Sequence, residues 1–213
     1  MIEKKIFIFD LDGTLVDAYR AIEKSLNFTL RKLGYRAVSY REAKRKVGTG
    51  DKHFMEMFFK KNEFRRALRI YRVHHEWSLA RYTRSKSGAK RMLYLLKKRN
   101  KIIAVASNRP ARFTDIIVRH LDIKKYFDGI WCADKINGTK PDPKMVHAIL
   151  ARFGSSRAQA VYIGDMGIDL ETAHRAGVDA VFIKGGSSGV AEVATYKNKR
   201  VISSLMEILK IYR

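Results

Sequence analysis

The stretch that decides the fold is IFIFDLDGT, from Ile6 to Thr14. Its first four residues are apolar, a pattern typical of a strand that is buried on both faces of a parallel sheet. Two aspartates, Asp10 and Asp12, follow at once, and residues two apart on an extended strand point to the same side. Neighbouring carboxylates repel each other and lose hydration when buried. The stretch therefore predicts a compensating partner, most simply a divalent cation.

The length and composition are those of a folded protein. The chain has 213 residues, 46% of them hydrophobic, enough for one domain with a sizeable insertion or for two small domains. Its one cysteine, Cys132, excludes an internal disulfide framework and favours a reducing cytosol. No apolar run approaches the roughly 20 residues that span a bilayer, and the N-terminus is charged too soon for a secretory signal. We expect a cytoplasmic protein with no membrane segment.

The charge is strongly basic, with 44 Lys and Arg against 21 Asp and Glu, a formal net charge of +23. Residues 18–82 carry seventeen basic and six acidic residues, so +11 lies in under a third of the chain. Such a surface attracts phosphorylated or other anionic partners, and nucleic acid is possible. The alternative is that most of these side chains are solvated helix faces.

The order of predicted elements divides the chain into two parts. Residues 18–82 have helical periodicity and contain no convincing strand. Strands and helices then alternate, which predicts an α/β fold with a parallel sheet covered on both faces. The predicted strands lie in KIIAVASN, YFDGIWCAD, AVYIGD and DAVFIKGG, the last of these being the final core strand. A C-terminal helix is predicted over about 203–212.

Further polar residues follow the predicted strands, where chemistry collects in parallel sheets. They are Ser107 and Asn108 after IIAVA, Lys140 in TKPDP, and Asp165 and Asp169 in GDMGIDLETA. Each has an ordinary reading: a helix cap for Ser107, a solvated side chain for Lys140, and favourable helix-dipole contacts for the two acids. Together and in this order they indicate a site for a phosphoryl group, with a hydroxyl, an ammonium and metal-binding carboxylates.

DLDGT, Ser107, Lys140 and GDMGID resemble the four ordered motifs of the haloacid dehalogenase superfamily, in its phosphatase branch. The resemblance runs from residue 6 to about 184 and is nearest to phosphoglycolate phosphatase and β-phosphoglucomutase-like enzymes. It implies a Rossmann-like core of residues 1–17 and 83–213, with an α-helical cap domain inserted at 18–82. The second aspartate of the first motif disfavours halide chemistry, because expelling a halide requires no proton.

The resemblance also implies roles for the site residues. Asp10 is the nucleophile that becomes an aspartyl phosphate, and Asp12 is the general acid and base. Phosphoryl oxygens are bound by a hydroxyl, amide and ammonium set, namely Thr14, Ser107, Asn108 and Lys140. Mg²⁺ is bound by Asp10, the backbone carbonyl of Asp12, and Asp165. Asp169 orients Lys140 or a metal-bound water.

Substrate contacts are expected from the cap. GTGDKHF, Gly48 to Phe54, resembles the cap loop that meets the substrate, and makes Lys52 and His53 candidate contacts, although both are also ordinary helix-start residues. The adjacent His74 and His75 are expected to face different ways on a helix and not to share a metal.

The predicted function is a Mg²⁺-dependent phosphatase acting on a small phosphorylated metabolite such as phosphoglycolate. A phosphomutase of the β-phosphoglucomutase type remains an alternative, because cap geometry decides whether water reaches the intermediate. A protein that binds a polyanion or nucleic acid with its basic cap is the second alternative. The resemblance permits both a monomer and a dimer.

Overall fold

The computed structural model describes residues 3–196 and 199–212. The strands in this part of the chain are β1 (Ile6–Phe9), β2 (Val16–Asp17), β3 (Arg84–Ser85), β4 (Ile102–Ser107), β5 (Gly129–Cys132), β6 (Ala160–Gly164), β7 (Asp179–Ile183) and β8 (Lys199–Ile202). The helices are α1 (Tyr19–Lys32), α2 (Tyr40–Arg45), α3 (Asp51–Glu56), α4 (Phe64–Tyr82), α5 (Ala89–Lys98), α6 (Ala111–His120), α7 (Ala133–Ile136), α8 (Lys144–Arg152), α9 (Gly167–Ala176) and α10 (Ile208–Ile211). Short 3₁₀ turns cover Lys124–Tyr126, Arg157–Gln159, Ala191–Val193 and Leu205–Glu207.

Six strands form one parallel sheet in the order β5-β4-β1-β6-β7-β8. Its central strand β1 is buried on both faces, as the apolar run predicts. Phe7 and Phe9 pack into one core cluster with α5, α6 and α10, whereas Ile6 and Ile8 pack into another with α8 and α9. Alternate side chains point to opposite faces of a strand, so an unbroken apolar run supplies both layers. The predicted α/β fold is confirmed.

Two predictions at the C-terminal end are wrong in part, although the strand and the helix that they name are both present. DAVFIKGG is not the last strand, because β8 (Lys199–Ile202) pairs with β7 at the sheet edge. Its sequence, KRVI, begins with two basic residues, and polar residues are typical of edge strands, so the apolar signal is weak there. The helix predicted over 203–212 is shorter: Leu205–Glu207 form a 3₁₀ turn, and α10 covers only Ile208–Ile211.

The helices α1 to α4 lie between two short strands. The antiparallel pair of β2 and β3 aligns Val16 with Ser85 and Asp17 with Arg84, so the chain leaves and re-enters the sheet region at one place. Residues between these strands have an apolar cluster of their own, which includes Leu26, Phe54 and Tyr71. The pairing of α1 with α4 holds this helical segment together.

Candidate active site

The polar residues after the central strands meet at one edge of the sheet. Phe9 of β1 is level with Val105 of β4 and with Ile163 of β6. Because these strands are parallel and adjacent, the residues that follow them are neighbours in space. Asp10, Ser107 and Asp165 are therefore brought to the same crevice, and all three are buried.

Lys140 lies between two of the carboxylates. Its Nζ donates to Asp10 Oδ1 at 2.6 Å and to Asp169 Oδ1 at 2.7 Å, and all three side chains are at least nine-tenths buried. Burial alone would lower the pKa of Lys140, but Asp10 and Asp169 outweigh it and raise that pKa well above its usual value. Lys140 is thus a buried ammonium ion. We call Asp10, Lys140 and Asp169 the Lys140 cluster.

One ammonium does not balance the carboxylates around it. Asp10, Asp165 and Asp169 each offer an oxygen within 4.8 Å of the others. Burial and the two neighbouring carboxylates raise the pKa of Asp10 well above its usual value, and burial with Asp169 raises the pKa of Asp165 to about 6. The three carboxylates and the Lys140 ammonium together carry a formal charge of −2. Buried oxygen ligands with this negative charge fit a divalent metal ion.

The carboxylate of Asp165 is held from several sides. Oδ1 accepts from the Thr14 hydroxyl at 3.0 Å, while Oδ2 accepts from the Tyr19 hydroxyl at 3.1 Å and from the Ser187 backbone N–H at 2.7 Å. Gly13, at φ +88°, makes room for it, since a Cβ there would lie 2.3 Å from Asp165 Oδ2. Thr14 therefore contacts Asp165, and it does not line the cavity described below.

Ser107 and Asn108 turn the chain from β4 toward α6. The Ser107 hydroxyl oxygen accepts the Arg109 backbone N–H at 3.2 Å, which leaves its own proton available as a donor. The Asn108 side chain accepts from the Lys140 N–H at 2.8 Å and donates to the Gly48 carbonyl at 2.8 Å. Asn108 thus ties the Lys140 loop to the loop before α3, and its side chain is already engaged.

Asp12 does not join the carboxylates of Asp10, Asp165 and Asp169. Its two oxygens accept from Nε and Nη2 of Arg109, at 2.7 and 3.0 Å. The Arg109 Nη1 donates to His75 Nε2 at 2.8 Å, and His75 lies on α4. We call Asp12, Arg109 and His75 the Arg109 cluster. Neither Arg109 nor His75 was predicted from sequence to be a site residue. The signal that could have found Arg109 is a basic residue two positions after a strand-end serine.

A cavity of about 560 Å³, including its open mouth, lies between the sheet edge and the helices α1, α3 and α4. Asp10, Asp12, Ser107 and Lys140 are on its wall, facing apolar residues that include Phe54 and Tyr71. The predicted contacts Lys52 and His53 are exposed and do not line the cavity, whereas their neighbours Asp51 and Phe54 do.

The fold and this constellation define the class of protein, an α/β protein with a parallel sheet and a buried acidic site at the sheet edge. Residues 7–183 match the family described as "Haloacid dehalogenase-like hydrolase". The chain belongs to this family. It is an enzyme of the phosphatase branch, as the resemblance predicted.

The similarity to individual proteins covers most of the chain. A phosphoglycolate phosphatase of Aquifex aeolicus (strain VF5) is 29% identical over 173 residues, 81% of each chain. A protein of Caldanaerobacter subterraneus subsp. tengcongensis, provisionally named pyrophosphatase PpaX, is 28% identical over 215 residues, 97% of this chain and 93% of its own. The crystal structure of a predicted phosphoglycolate phosphatase from Haemophilus somnus 129PT superimposes with a TM-score of 0.93 at 24% identity, covering 100% of both chains.

Within residues 3–196 and 199–212, no helix combines the length and apolar character that crossing a bilayer requires.

Proposed function

We propose that this protein is a Mg²⁺-dependent phosphatase that hydrolyses a small phosphorylated metabolite, phosphoglycolate-like in kind, through an aspartyl-phosphate intermediate. The observation that carries the proposal is the buried Lys140 ammonium between Asp10 and Asp169, with Asp165 beside them. An anionic nucleophile and an anionic substrate repel each other, so such a site must supply positive charge where they meet.

In the first proposed step, a carboxylate oxygen of Asp10 attacks the phosphorus atom. The bond from Asp10 to phosphorus forms as the phosphorus–ester oxygen bond breaks. Asp12 enters this step as the carboxylic acid, gives its proton to the departing oxygen and is left as the carboxylate. The alcohol leaves, and Asp10 carries the phosphoryl group.

In the second step, Asp12 takes a proton from water. The water oxygen attacks phosphorus and the bond to Asp10 breaks, which releases inorganic phosphate and restores the Asp10 carboxylate. Asp12 thus acts first as an acid and then as a base. The apolar cavity wall limits which water molecules reach the intermediate.

The phosphoryl group is proposed to lie against Lys140, the Ser107 hydroxyl and the Asn108 backbone N–H. Mg²⁺ would be held by Asp10, the Asp12 backbone carbonyl and Asp165, and when bound it supplies charge neutralisation for the phosphoryl oxygens. Asp169 orients Lys140, which it contacts at 2.7 Å. We assign Thr14 to fixing Asp165, which its hydroxyl contacts, in place of the phosphate contact expected from sequence.

Residues 18–82 are proposed to act as the cap that closes over the substrate. Support comes from their own apolar cluster and from the cavity between them and the sheet edge. Asp51 and Phe54 replace Lys52 and His53 as the proposed substrate contacts of α3, since they are the residues on the cavity wall.

The test is phosphate release from p-nitrophenyl phosphate with Mg²⁺ or with EDTA. We expect Mg²⁺-dependent turnover that Asp10→Asn lowers by on the order of 10⁴. Asp142→Asn is the matched control, because Asp142 pairs with the exposed Lys144 outside the cavity. Absence of turnover with any divalent metal would overturn the proposal, as would equal activity of Asp10→Asn and Asp142→Asn.

A further inference from the structure

Arg109 is a buried cation on the wall of the proposed active site. Only 8% of the residue is exposed, and it lines the cavity beside Asp12. Lys140 is the other cation on this wall, and its ammonium is already placed between two carboxylates. Arg109 has a single carboxylate partner, Asp12, so it is the cation with capacity left for a ligand.

The hydrogen-bond donors of Arg109 can be counted. A guanidinium has five N–H groups, and three of them have acceptors: Asp12 takes those of Nε and Nη2, and His75 takes one of Nη1. The remaining two, one on each terminal nitrogen, find no acceptor among the residues that the structure describes. Buried donors without acceptors are destabilising. On a cavity wall they indicate a ligand that brings acceptors.

The hydrogen-bond directions in the cap fix how the guanidinium is held. An arginine only donates, so His75 Nε2 must accept, and the ring proton is on Nδ1. That N–H points to Ser25 Oγ at 3.0 Å, and the Ser25 hydroxyl donates to the Ala21 carbonyl at 2.9 Å. Burial and the nearby Arg109 lower the pKa of His75 well below its usual value, which keeps it neutral and able to accept. The helices α1 and α4 therefore hold the guanidinium in one orientation.

From this geometry, and resting on the proposed function, we propose that Arg109 binds a second anionic group of the substrate. The group is a carboxylate or a second phosphate, and it is received by the free N–H groups of Nη1 and Nη2. A planar guanidinium suits both kinds of anion. Because Arg109 contacts Asp12, the residue proposed to protonate the leaving oxygen, the second anion belongs to the leaving group and lies a short linker away from the ester oxygen.

The first test compares 2-phosphoglycolate with 2-phosphoglycolamide, in which a neutral amide replaces the carboxylate. Wild-type kcat/KM should favour the carboxylate roughly 10- to 150-fold, the range for a hydrogen bond to a charged group. Ethylene glycol bisphosphate, in which a second phosphate takes the place of the carboxylate, tests a second phosphate as the anion. If Arg109 binds such a group, Arg109→Gln should lower kcat/KM for this substrate as it does for 2-phosphoglycolate. Arg109→Gln should bring the ratio of kcat/KM for 2-phosphoglycolate to kcat/KM for 2-phosphoglycolamide close to one. Arg109→Lys should give a ratio between that of Arg109→Gln and that of the wild type. Arg112→Gln, an exposed arginine three positions on, should leave the wild-type ratio unchanged.

If Arg109 only positions Asp12 and binds no anion, the experiment gives a different result. In that case Arg109→Gln lowers kcat/KM for both substrates equally and the ratio does not move, which overturns the inference. An equal preference of the wild-type enzyme for the two substrates also overturns it. These results concern only the inference, since the phosphatase activity itself is tested with p-nitrophenyl phosphate.

Binding provides a measurement that does not depend on turnover. Calorimetric titration with 3-phosphonopropionate and its amide should show the same preference in wild-type protein and in Asp10→Asn, and lose it in Arg109→Gln. Thermal unfolding of Arg109→Gln and Arg109→Lys shows whether each variant is folded at the assay temperature. If the two phosphonates bind equally to wild-type protein, Arg109 does not bind a second anion.

Discussion

The two buried ion clusters of the site differ in what they lack. The Lys140 cluster, with Asp165 beside it, has three carboxylates and one ammonium, so it has an excess of negative charge. The Arg109 cluster has one carboxylate, one guanidinium and a neutral imidazole, so its charges balance. Two of its donors have no acceptor within residues 3–196 and 199–212. The first arrangement is suited to a cation and the second to an anion. In the proposed function, the two adjacent clusters therefore divide metal binding from recognition of the leaving group.

They also differ in where their members come from. The residues of the Lys140 cluster all come from the sheet region: Asp10 follows β1, Lys140 precedes α8, and Asp169 lies in the first turn of α9. His75, in contrast, reaches Arg109 from the helical segment. Movement of that segment would change the surroundings of Arg109 and leave the Lys140 cluster intact. Substitutions in the two clusters should therefore have different consequences, which the following experiments separate.

The largest effect is expected for Lys140→Met, which removes the ammonium and keeps much of the volume. Asp10 and Asp169 then lose their buried partner, at a cost of about 3–5 kcal/mol in the free energy of unfolding. The value of kcat/KM should fall by on the order of 10³. Urea unfolding without metal and phosphate release with Mg²⁺ measure the two effects.

Lys144→Met is the matched control for that substitution, since the Lys144 side chain is 60% exposed and pairs with Asp142. It should change stability by less than about 0.5 kcal/mol. Equal stability of the two variants would show that the Lys140 cluster is not held by its ammonium.

Residues at the ends of strands could be predicted from sequence, whereas residues placed by tertiary contacts could not. Asp10, Ser107 and Asp165 could be predicted to lie at one edge of the sheet, because each ends or follows a parallel strand and parallel neighbours bring their carboxyl ends together. The positions of the Thr14 and His75 side chains depend on tertiary contacts. The Thr14 hydroxyl turns toward Asp165 from a distant part of the chain, and His75 reaches Arg109 only when α4 packs over α6. Local spacing carries no information about such contacts.

An intermediate effect is expected from the pH dependence of stability. The pKa of His75 is lowered by burial, by Arg109 and by His74, so below about pH 6.5 the unfolded chain binds a proton that the folded protein does not. Stability must then fall as the pH falls. His75 should account for a loss of about 1.4 kcal/mol between pH 7.5 and 5.5, because one proton is involved.

The measurement is the free energy of unfolding in urea, for wild-type protein and His75→Asn, at both pH values and in EDTA. Asn can still accept from Arg109 but does not titrate. Asp10 and Asp165, whose pKa values are raised, act in the opposite direction, and they do so in both proteins. The difference between the two proteins therefore isolates His75. Identical pH dependence would mean that His75 is not the buried neutral acceptor of the Arg109 cluster.

The smallest effect is expected on the outer face of α3, where Lys52 and His53 were predicted from sequence to meet the substrate. Residues three apart share one face of a helix, so Asp51 and Phe54 line the cavity together and the two between them point to solvent. Lys52→Ala and His53→Ala should each change kcat/KM less than about twofold, while Phe54→Ala on the inner face should raise KM. The kcat/KM and KM of all three variants are measured with the substrates used for Arg109. A tenfold loss of kcat/KM in Lys52→Ala would place a third cation at the site. Lys52 and Arg109 would then share the recognition of the second anion.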